Sequence, residues 1–295
     1  MPPENKPESL RPGLYLVATP IGNLGDITLR ALDVLRAADQ ILAENTQRTR
    51  KLLTRYDIKT SLKSLNDHNE RAEANQLARQ MAAGKHIALV SDAGTPLISD
   101  PGYCVVRAAL NVGVEVVPIP GPSSLLAALT ASGLPVDRFT FCGFLPRKPA
   151  ARRRLFEDLA SEPGTLVFLE SPRRLARSLA EAAEVFGGRS VAVARELTKM
   201  HEEFIRGTLP EIAARFAHTE VRGEVTVCVA GANFVTTDAP TTRNPLDRQD
   251  LARRFRQLLE EGTPRNEALK TLASQHSVPR REIYKALLIE EEETR

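Results

Sequence analysis

Short apolar runs alternate with helical patterns from Gly13 onward, and this alternation constrains the fold more than any other feature of the sequence. Runs typical of buried strands lie at residues 13–19, 86–92, 114–120 and 139–144. The segments between them contain turn residues and apolar residues at helical spacing. Strands that alternate with helices form a mostly parallel sheet that is covered on both faces. The alternation therefore predicts an α/β fold, with residues 13–143 as its first domain.

A second α/β domain is predicted over residues 144–231. It begins with a proline- and arginine-rich stretch, LPRKPAARRR. Its predicted strands lie at residues 165–170, 190–195, 202–207 and 224–231. Several of these strands are separated by short spans, so this sheet is predicted to be mixed rather than parallel.

The two ends of the chain differ from these domains. Residues 1–12 are polar and rich in proline, which is typical of a loose tail. Residues 232–245 are polar and lack periodicity, which predicts a linker. Residues 246–295 are predicted to be helical and to form a module like a helix-turn-helix, whose second helix opens at Thr263-Pro264.

The last predicted helix of this module carries basic residues on its polar side. They are Arg280, Arg281 and Lys285. Basic residues at the start of a helix are suited to contacts with nucleic-acid phosphates. Glutamates at 290–293 give the module an acidic end, and a small bundle that packs a dimer is the alternative interpretation.

Composition disfavours several classes of protein. The three cysteines lie far apart and match neither a disulfide framework nor a zinc site, and the five histidines are also scattered, so we expect no metal. The N-terminal segment has no apolar core of the kind that signal peptides carry. No apolar run approaches the length of a membrane-spanning helix. We therefore expect a cytoplasmic protein without a membrane partner.

Three loops rich in glycine and proline follow predicted strands of the first domain. They are TPIGNLGD at 19–26, SDAGTPLISDPG at 91–102 and PGPSS at 120–124. Ligands of open α/β sheets bind beyond the carboxyl ends of the strands, where glycine lets the backbone come close. The three loops predict one ligand-binding cleft. Within the second loop, Asp100-Pro101 is expected to cap the following helix.

The three loops contain no lysine or arginine, although the chain has 40 of these residues. Phosphate-binding loops usually carry a lysine, and a triphosphate would be repelled by Asp26, Asp92 and Asp100. The cleft therefore favours a ligand without phosphates that carries positive charge. S-adenosylmethionine, a sulfonium zwitterion, fits this description. Asp92 would accept hydrogen bonds from its ribose or ammonium group, while Ser123 and Ser124, at a helix N-terminus, would bind its carboxylate.

Short motifs in a fixed order resemble the tetrapyrrole-methylase superfamily. They are VATPIGNLGDITLRAL, ENTQRTRKLL, NDHNE, VSDAGTPLISDPGY, PIPGPSS, GLPVDRFTFCGFLPRK, FLESPRR, ARELTKMHEEF and GEVTVCVAG. The resemblance extends from about Leu14 to Gly231, and it is closer to the bacterial branch that methylates the ribose 2′-hydroxyl of a cytidine in 16S ribosomal RNA. It implies two α/β domains with S-adenosylmethionine bound between them, usually in a homodimer.

The resemblance also implies which residues contact S-adenosylmethionine. In the superfamily these contacts fall at the first strand end, the SDAGTP loop, the PGPSS turn, the interdomain GFLP segment and the second domain. In this sequence the matching residues are Pro20, Asp92, Gly94, Thr95, Ser123, Ser124, Phe144, Leu145, Leu197 and Glu224.

A ribose hydroxyl is a poor nucleophile, and a general base or a cation beside the alkoxide would speed its methylation by roughly 10²–10⁴-fold. The motif ARELTKMHEEF follows a predicted strand, and within it Lys199 and Glu196 are the predicted catalytic residues. A buried lysine with a lowered pKa would act as a base, whereas a charged one would stabilise the alkoxide. A surface ion pair of Lys199 with either Glu196 or Glu203 is the alternative.

An RNA substrate requires a basic surface around the cleft. Three basic clusters lie outside the glycine loops, with predicted RNA contacts at Arg48, Arg50, Lys51, Arg147, Lys148, Arg173 and Arg174. Each cluster by itself is also typical of a solvated surface. The predicted partner is 16S ribosomal RNA or the small ribosomal subunit.

Two other functions stay open on the sequence alone. A methylase of the same fold could act on a porphyrinoid. Alternatively, the C-terminal helices could make the chain a non-enzymatic nucleic-acid-binding regulator whose α/β part senses a ligand. The basic clusters and the motifs of the RNA-methylating branch favour the ribosomal RNA methyltransferase.

Overall fold

The computed structural model describes residues 10–217, 219, 221–234, 254–255, 257–259, 263–275 and 283. The chain divides into two units, residues 1–234 and 235–295. The first unit contains two five-stranded sheets. This arrangement confirms the predicted α/β class.

The first sheet is parallel throughout, as the alternation of strands and helices predicted. Its strands are β1 (Gly13–Val17), β2 (Gln40–Ala43), β3 (Ser61–Ser64), β4 (His86–Val90) and β5 (Glu115–Ile119), in the order β3-β2-β4-β1-β5. Its helices are α1 (Leu29–Ala37), α2 (Thr46–Arg55), α3 (Glu70–Ala82), α4 (Tyr103–Asn111) and α5 (Ser124–Ala131).

Strand β1 lies in the interior of this sheet, between β4 and β5. Because successive side chains of a strand point to opposite faces, its residues enter two different cores. Leu14 packs with residues of α3 and α4, while Tyr15 and Val17 pack with residues of α1 and α2. Helices therefore cover both faces of the sheet.

The second sheet is mixed, which confirms the prediction from its short connections. Its strands are β6 (Phe139–Phe144), β7 (Thr165–Glu170), β8 (Ser190–Arg195), β9 (Glu203–Thr208) and β10 (Val225–Val229), in the order β6-β7-β10-β8-β9. Only the β6–β7 pair is parallel among these neighbours. Helices α6 (Pro149–Asp158), α7 (Leu175–Phe186) and α8 (Leu209–Phe216) pack on one face, around Phe156 and Phe168.

The opposite face of the second sheet packs against the first half of the unit. Val167, Ala192 and Cys228 of this sheet share a buried apolar cluster with Ile21 and Leu129. Ile21 belongs to the loop after β1 and Leu129 to α5. The loops at the carboxyl edge of the first sheet are thereby held against the second sheet.

The structure corrects two sequence predictions. Phe139–Phe144 was expected to close the first domain, but it forms the edge of the second sheet, because it pairs with β7. Asp100-Pro101 was expected to cap a helix, but α4 begins at Tyr103, with Gly102 as its N-cap. The Asp100 carboxylate instead accepts a hydrogen bond from the Ser91 hydroxyl.

The second unit is described in part. Helix α9 (Arg265–Gln275) follows Thr263-Pro264 directly, where the sequence predicted a helix to open. Its Leu269 and Leu272 form a small buried cluster with Phe255 and Ile283. Three predicted RNA contacts of this unit lie outside the described residues, namely Arg280, Arg281 and Lys285. Over the described part of the chain, no helix has the length and apolar character needed to cross a membrane.

Candidate active site

A cavity of about 390 Å³ lies between the carboxyl edge of the first sheet and the second sheet. The loops after β4 and β5 line one side, together with the segment that follows β2. Strands β6, β8 and β10 and the segment after β7 line the other side. The sequence-predicted residues at this cavity are Asp92, Gly94, Thr95, Ser123, Ser124, Phe144, Leu197, Glu224 and Arg48.

Backbone contacts fix the glycine-rich loops at the edge of this cavity. The amide and carbonyl of Thr19, just after β1, exchange two hydrogen bonds of 2.9 Å with Gly94 in the loop after β4. Ser123 is the N-cap of α5, and its hydroxyl accepts a hydrogen bond from the Leu126 amide. This confirms the predicted helix N-terminus at the PGPSS turn, a position that favours an anionic group such as a carboxylate.

The lining of the cavity is strongly acidic. It includes five carboxylates, those of Glu44, Asp92, Asp100, Glu170 and Glu224, and one guanidinium, that of Arg48. The sequence predicted a cleft without cations, and Arg48 corrects this, since it enters from α2 rather than from a glycine loop. The excess of negative charge still favours a cationic ligand over a phosphate-bearing one.

Burial and neighbouring carboxylates raise the pKa values of Asp100 and Glu44. Burial is the main cause of the raised pKa of Asp100, the Ser91 hydroxyl opposes it, and the charge of Asp92 adds to it. Burial also raises the pKa of Glu44, and Asp92 and Asp100 add to the effect. A cation bound among these groups would relieve their mutual repulsion.

Contacts within the protein hold the lining carboxylates of Glu170 and Asp92 in place, as they do those of Asp100 and Glu224. The buried Glu170 forms an ion pair of 2.5 Å with Arg174 and accepts a 2.5 Å hydrogen bond from the Ser178 hydroxyl. Asp92 accepts a hydrogen bond of 2.9 Å from the Asn45 amide. Glu170 therefore supports the wall of the cavity. Asp92 is held in a fixed orientation while it faces the ligand space.

Lys199 and Glu196 form an ion pair beside the cavity. The Lys199 ammonium lies 2.8 Å from Glu196 Oε1 and 3.2 Å from Glu224 Oε2. Burial alone would lower the pKa of Lys199, but the two carboxylates outweigh it and raise the pKa above its ordinary value. The hydrogen bond from Lys199 lowers the pKa of Glu196, against the opposing effect of burial. The sequence left two roles open for Lys199, a base with a lowered pKa and a charged group beside the alkoxide, and the raised pKa favours the charged group.

The turn that carries this pair has an unusual backbone. Glu196 and Thr198 have φ values of +52° and +64°, in a region that side-chain-bearing residues seldom occupy. The Thr198 hydroxyl accepts a 2.9 Å hydrogen bond from the Asn23 amide of the loop after β1. A Cβ on Gly22 would lie 2.6 Å from Lys199 Cγ. The turn that carries Glu196 and Lys199 is therefore in close packing contact with the loop after β1.

A smaller cavity of about 200 Å³ adjoins the first. Arg48 and Asp92 line both cavities, while Pro20, Gly22 and Lys51 line only the smaller one. Pro20 was expected among the contacts of S-adenosylmethionine, and the structure places it at the second cavity instead. Sequence reasoning did not anticipate two adjoining cavities.

One predicted cofactor contact lies away from both cavities. The Leu145 side chain is buried in the core of the second sheet, among Phe156 and Phe168. Its amide donates to the Leu169 carbonyl, which continues the pairing of β6 with β7. Leu145 therefore belongs to the core of the second sheet and lines neither cavity.

The predicted RNA contacts of the first unit divide into exposed and structural residues. The exposed ones are Arg48, Arg50, Lys51, Arg147, Lys148 and Arg173. Arg174 differs because it is held by Glu170 and donates to the Leu145 carbonyl. It is therefore bound to Glu170, a wall residue of the larger cavity, and is not a free basic side chain.

Comparisons with known proteins agree with this architecture. The family model described as Tetrapyrrole (Corrin/Porphyrin) Methylases matches residues 13–213. A protein of Synechocystis sp. named ribosomal RNA small subunit methyltransferase I is 45% identical over 276 residues, which cover 93% of this chain and 97% of the relative. A protein of the same name from Mesorhizobium japonicum is 52% identical over 225 residues, or 76% of each chain.

Solved structures share the fold at lower identity. The uroporphyrin-III-C-methyltransferase of Thermus thermophilus has a TM-score of 0.53 and 21% identity, and covers 75% of this chain and 96% of its own. The methyltransferase CobJ has a TM-score of 0.55 and 19% identity, and the match covers 75% of this chain and 94% of CobJ. At these identities the likeness shows the fold alone.

Proposed function

The chain belongs to the tetrapyrrole (corrin/porphyrin) methylase family, and on that premise we propose that it methylates the ribose 2′-hydroxyl of a cytidine in 16S ribosomal RNA, with S-adenosylmethionine as donor. The relatives with the name ribosomal RNA small subunit methyltransferase I support the choice of substrate. The proposal includes a cytoplasmic homodimer. Tyr103 and Leu110, two turns apart on α4 and both well exposed, offer an apolar face for a second copy.

The larger cavity fits S-adenosylmethionine in size and charge. Its volume of about 390 Å³ lies within the range of about 300–1,000 Å³ that is typical of small-molecule sites. When bound, S-adenosylmethionine supplies a methyl group that is already activated by a sulfonium centre. The acidic lining would attract that cation, and the N-terminus of α5 at Ser123 would bind the carboxylate at the other end.

The same carboxylates would exclude a nucleotide cofactor from the larger cavity. Phosphates there would meet Glu44, Asp92 and Asp100. Burial and the charge of Asp92 already raise the pKa values of Glu44 and Asp100. This acidic cavity beside a basic helix is the observation that carries the proposal.

In the proposed reaction the ribose oxygen would bond to the methyl carbon, and the carbon–sulfur bond would break with its electron pair left on the sulfur of the departing thioether. The hydroxyl proton passes to solvent, which reaches the site at the exposed Glu224 carboxylate. Lys199 remains protonated, so it would stabilise the alkoxide character of the ribose oxygen as a cation. Glu196 acts as a positioning residue, because its carboxylate holds the ammonium at 2.8 Å.

The direct test is methyl transfer from labelled S-adenosylmethionine to small-subunit ribosomal RNA. Nuclease digestion followed by mass analysis should reveal a 2′-O-methylated cytidine. Transfer of the label to a porphyrinoid in place of RNA would contradict the proposal. Binding of both ligands without any transfer would instead favour a non-enzymatic regulator.

Lys199→Ala tests the role of the cation. We expect unchanged affinity for S-adenosylmethionine and a fall in kcat of roughly 10²–10³-fold, as for removal of one group that stabilises an oxyanion. Lys63→Ala is the matched control, since Lys63 forms an ion pair of 2.6 Å with Glu73 away from both cavities. Equal kcat values for the two variants would remove Lys199 from the mechanism.

A further inference from the structure

The smaller cavity has the position that a second substrate requires. It shares Arg48 and Asp92 with the larger cavity, so the two spaces adjoin. A transfer reaction needs the donor and the acceptor side by side, with the reacting atoms almost in contact. The volume of the smaller cavity is about 200 Å³, about half that of the larger one. It would therefore hold one part of an acceptor and not a second molecule of S-adenosylmethionine.

Charge separates the two cavities. The larger one has five carboxylates and one guanidinium, whereas the charged residues of the smaller one are Arg48, Lys51 and Asp92. Both cations come from α2 and are exposed. The larger cavity therefore favours a sulfonium ligand, and the smaller cavity favours a phosphate-bearing ligand.

Lys199 lines neither cavity but contacts a wall residue of each. Its stem lies against Gly22, a wall residue of the smaller cavity, where an added Cβ would approach to 2.6 Å. Its ammonium lies 3.2 Å from Glu224, a wall residue of the larger cavity. An acceptor oxygen that reaches from the smaller cavity toward the larger one would pass this cation.

We propose that the smaller cavity receives the target ribonucleotide, with Lys51 and Arg48 at its phosphate and with its ribose directed toward Lys199. This assignment rests on the proposed function and adds the location of the acceptor. It makes Lys51 a residue for the acceptor alone, because it does not line the larger cavity. Arg48 would affect both substrates.

The first experiment compares Lys51→Ala with Lys59→Ala, a neighbouring exposed lysine outside both cavities. For Lys51→Ala we expect about a tenfold higher KM for small-subunit RNA and a salt dependence weaker by about one phosphate contact. The affinity for S-adenosylmethionine and kcat should stay within about twofold. An unchanged KM in Lys51→Ala would overturn the assignment.

The second experiment needs no methyl transfer, so it separates failure of this inference from failure of the proposed function. Cytidine 5′-monophosphate is titrated into protein that has been saturated with S-adenosylhomocysteine, and its binding is measured by ligand-observed NMR. Binding should persist in Lys59→Ala and be lost in Lys51→Ala. It should also be lost in Leu24→Trp, which fills the smaller cavity from an exposed wall position. No binding to the wild type, or equal binding to Lys51→Ala, would overturn the inference even if RNA is methylated.

Discussion

Replacing Gly223 with alanine should displace the Glu196 carboxylate and release Lys199 from its fixed position. Gly223 has a φ of +92°, and a Cβ there would lie 2.2 Å from Glu196 Oε1 and 2.3 Å from its carboxyl carbon. The same Oε1 atom accepts hydrogen bonds from the Lys199 ammonium at 2.8 Å and from the Glu224 amide at 2.9 Å. The carboxylate cannot move without losing one of these contacts.

The size of the effect follows from two contributions. Left-handed backbone costs an alanine about 1–2 kcal/mol. Loss of a hydrogen bond to a charged group costs about 1.5–3 kcal/mol, and we take the lower part of this range because the Lys199 and Glu196 side chains are 28% and 19% exposed. We expect the free energy of unfolding to fall by about 2.5–4 kcal/mol in total.

Gly84→Ala provides the matched control, because Gly84 has a φ of +104° and an added Cβ would meet nothing within 4 Å. It should lose only the backbone contribution, about 1–2 kcal/mol. Chemical denaturation measures both variants, and methyl transfer should fall in Gly223→Ala alone. Equal losses of stability, with equal and normal transfer rates, would refute the argument that the clash displaces Glu196.

Three further outcomes can be measured on the same protein. Asp92→Ala should weaken S-adenosylmethionine binding by about tenfold in calorimetry, because one carboxylate of the cavity is lost. As the pH falls from 7 toward the ordinary pKa values of Glu44 and Asp100, the affinity for S-adenosylmethionine should fall, because groups with raised pKa values gain protons at a higher pH. The free energy of unfolding should not fall from this cause, since a raised pKa of an acid in the folded state stabilises the fold at low pH. Burial raises the pKa of Cys142 to about 11 and that of Cys228 to about 12, so neither thiol should react with iodoacetamide at about pH 8 in the folded protein, as read by mass spectrometry.

The strands with the most apolar sequences were predictable to within a few residues. TLVFLE and SVAVAR match β7 and β8 as observed, because each is bounded by turn or polar residues and is fully apolar in its interior. Strands β2 and β3 were not predicted. The sequences QILA and SLKS are short, and SLKS is an edge strand with little apolar content, so neither produces a distinct pattern.

Missing β2 also concealed part of the site. Glu44 lies directly after this strand and Arg48 in the helix that follows, so their place at the cavity depends on where β2 joins the sheet. The pairing of β2 with β4 brings that segment beside the SDAGTP loop, and Asn45 then donates to Asp92. The glycine loops were recognisable from local sequence, whereas these residues required the register of two distant strands.

Pairing of distant strands also decides the charge state of Lys199. Glu196 is close in sequence, and by itself it leaves open whether burial or attraction dominates the lysine pKa. Glu224 is brought in by β10, which pairs with β8 from Val225↔Arg195 onward, and its carboxylate adds to that of Glu196 in raising the pKa of Lys199 against the effect of burial. Because the pKa of Lys199 is raised in the folded state, its charge stabilises the fold at every pH below the ordinary lysine pKa. The fold would lose this stabilisation if the lysine gave up its proton. The same contacts that hold the ammonium in place therefore prevent it from acting as a base, and they leave a fixed cation between the two cavities.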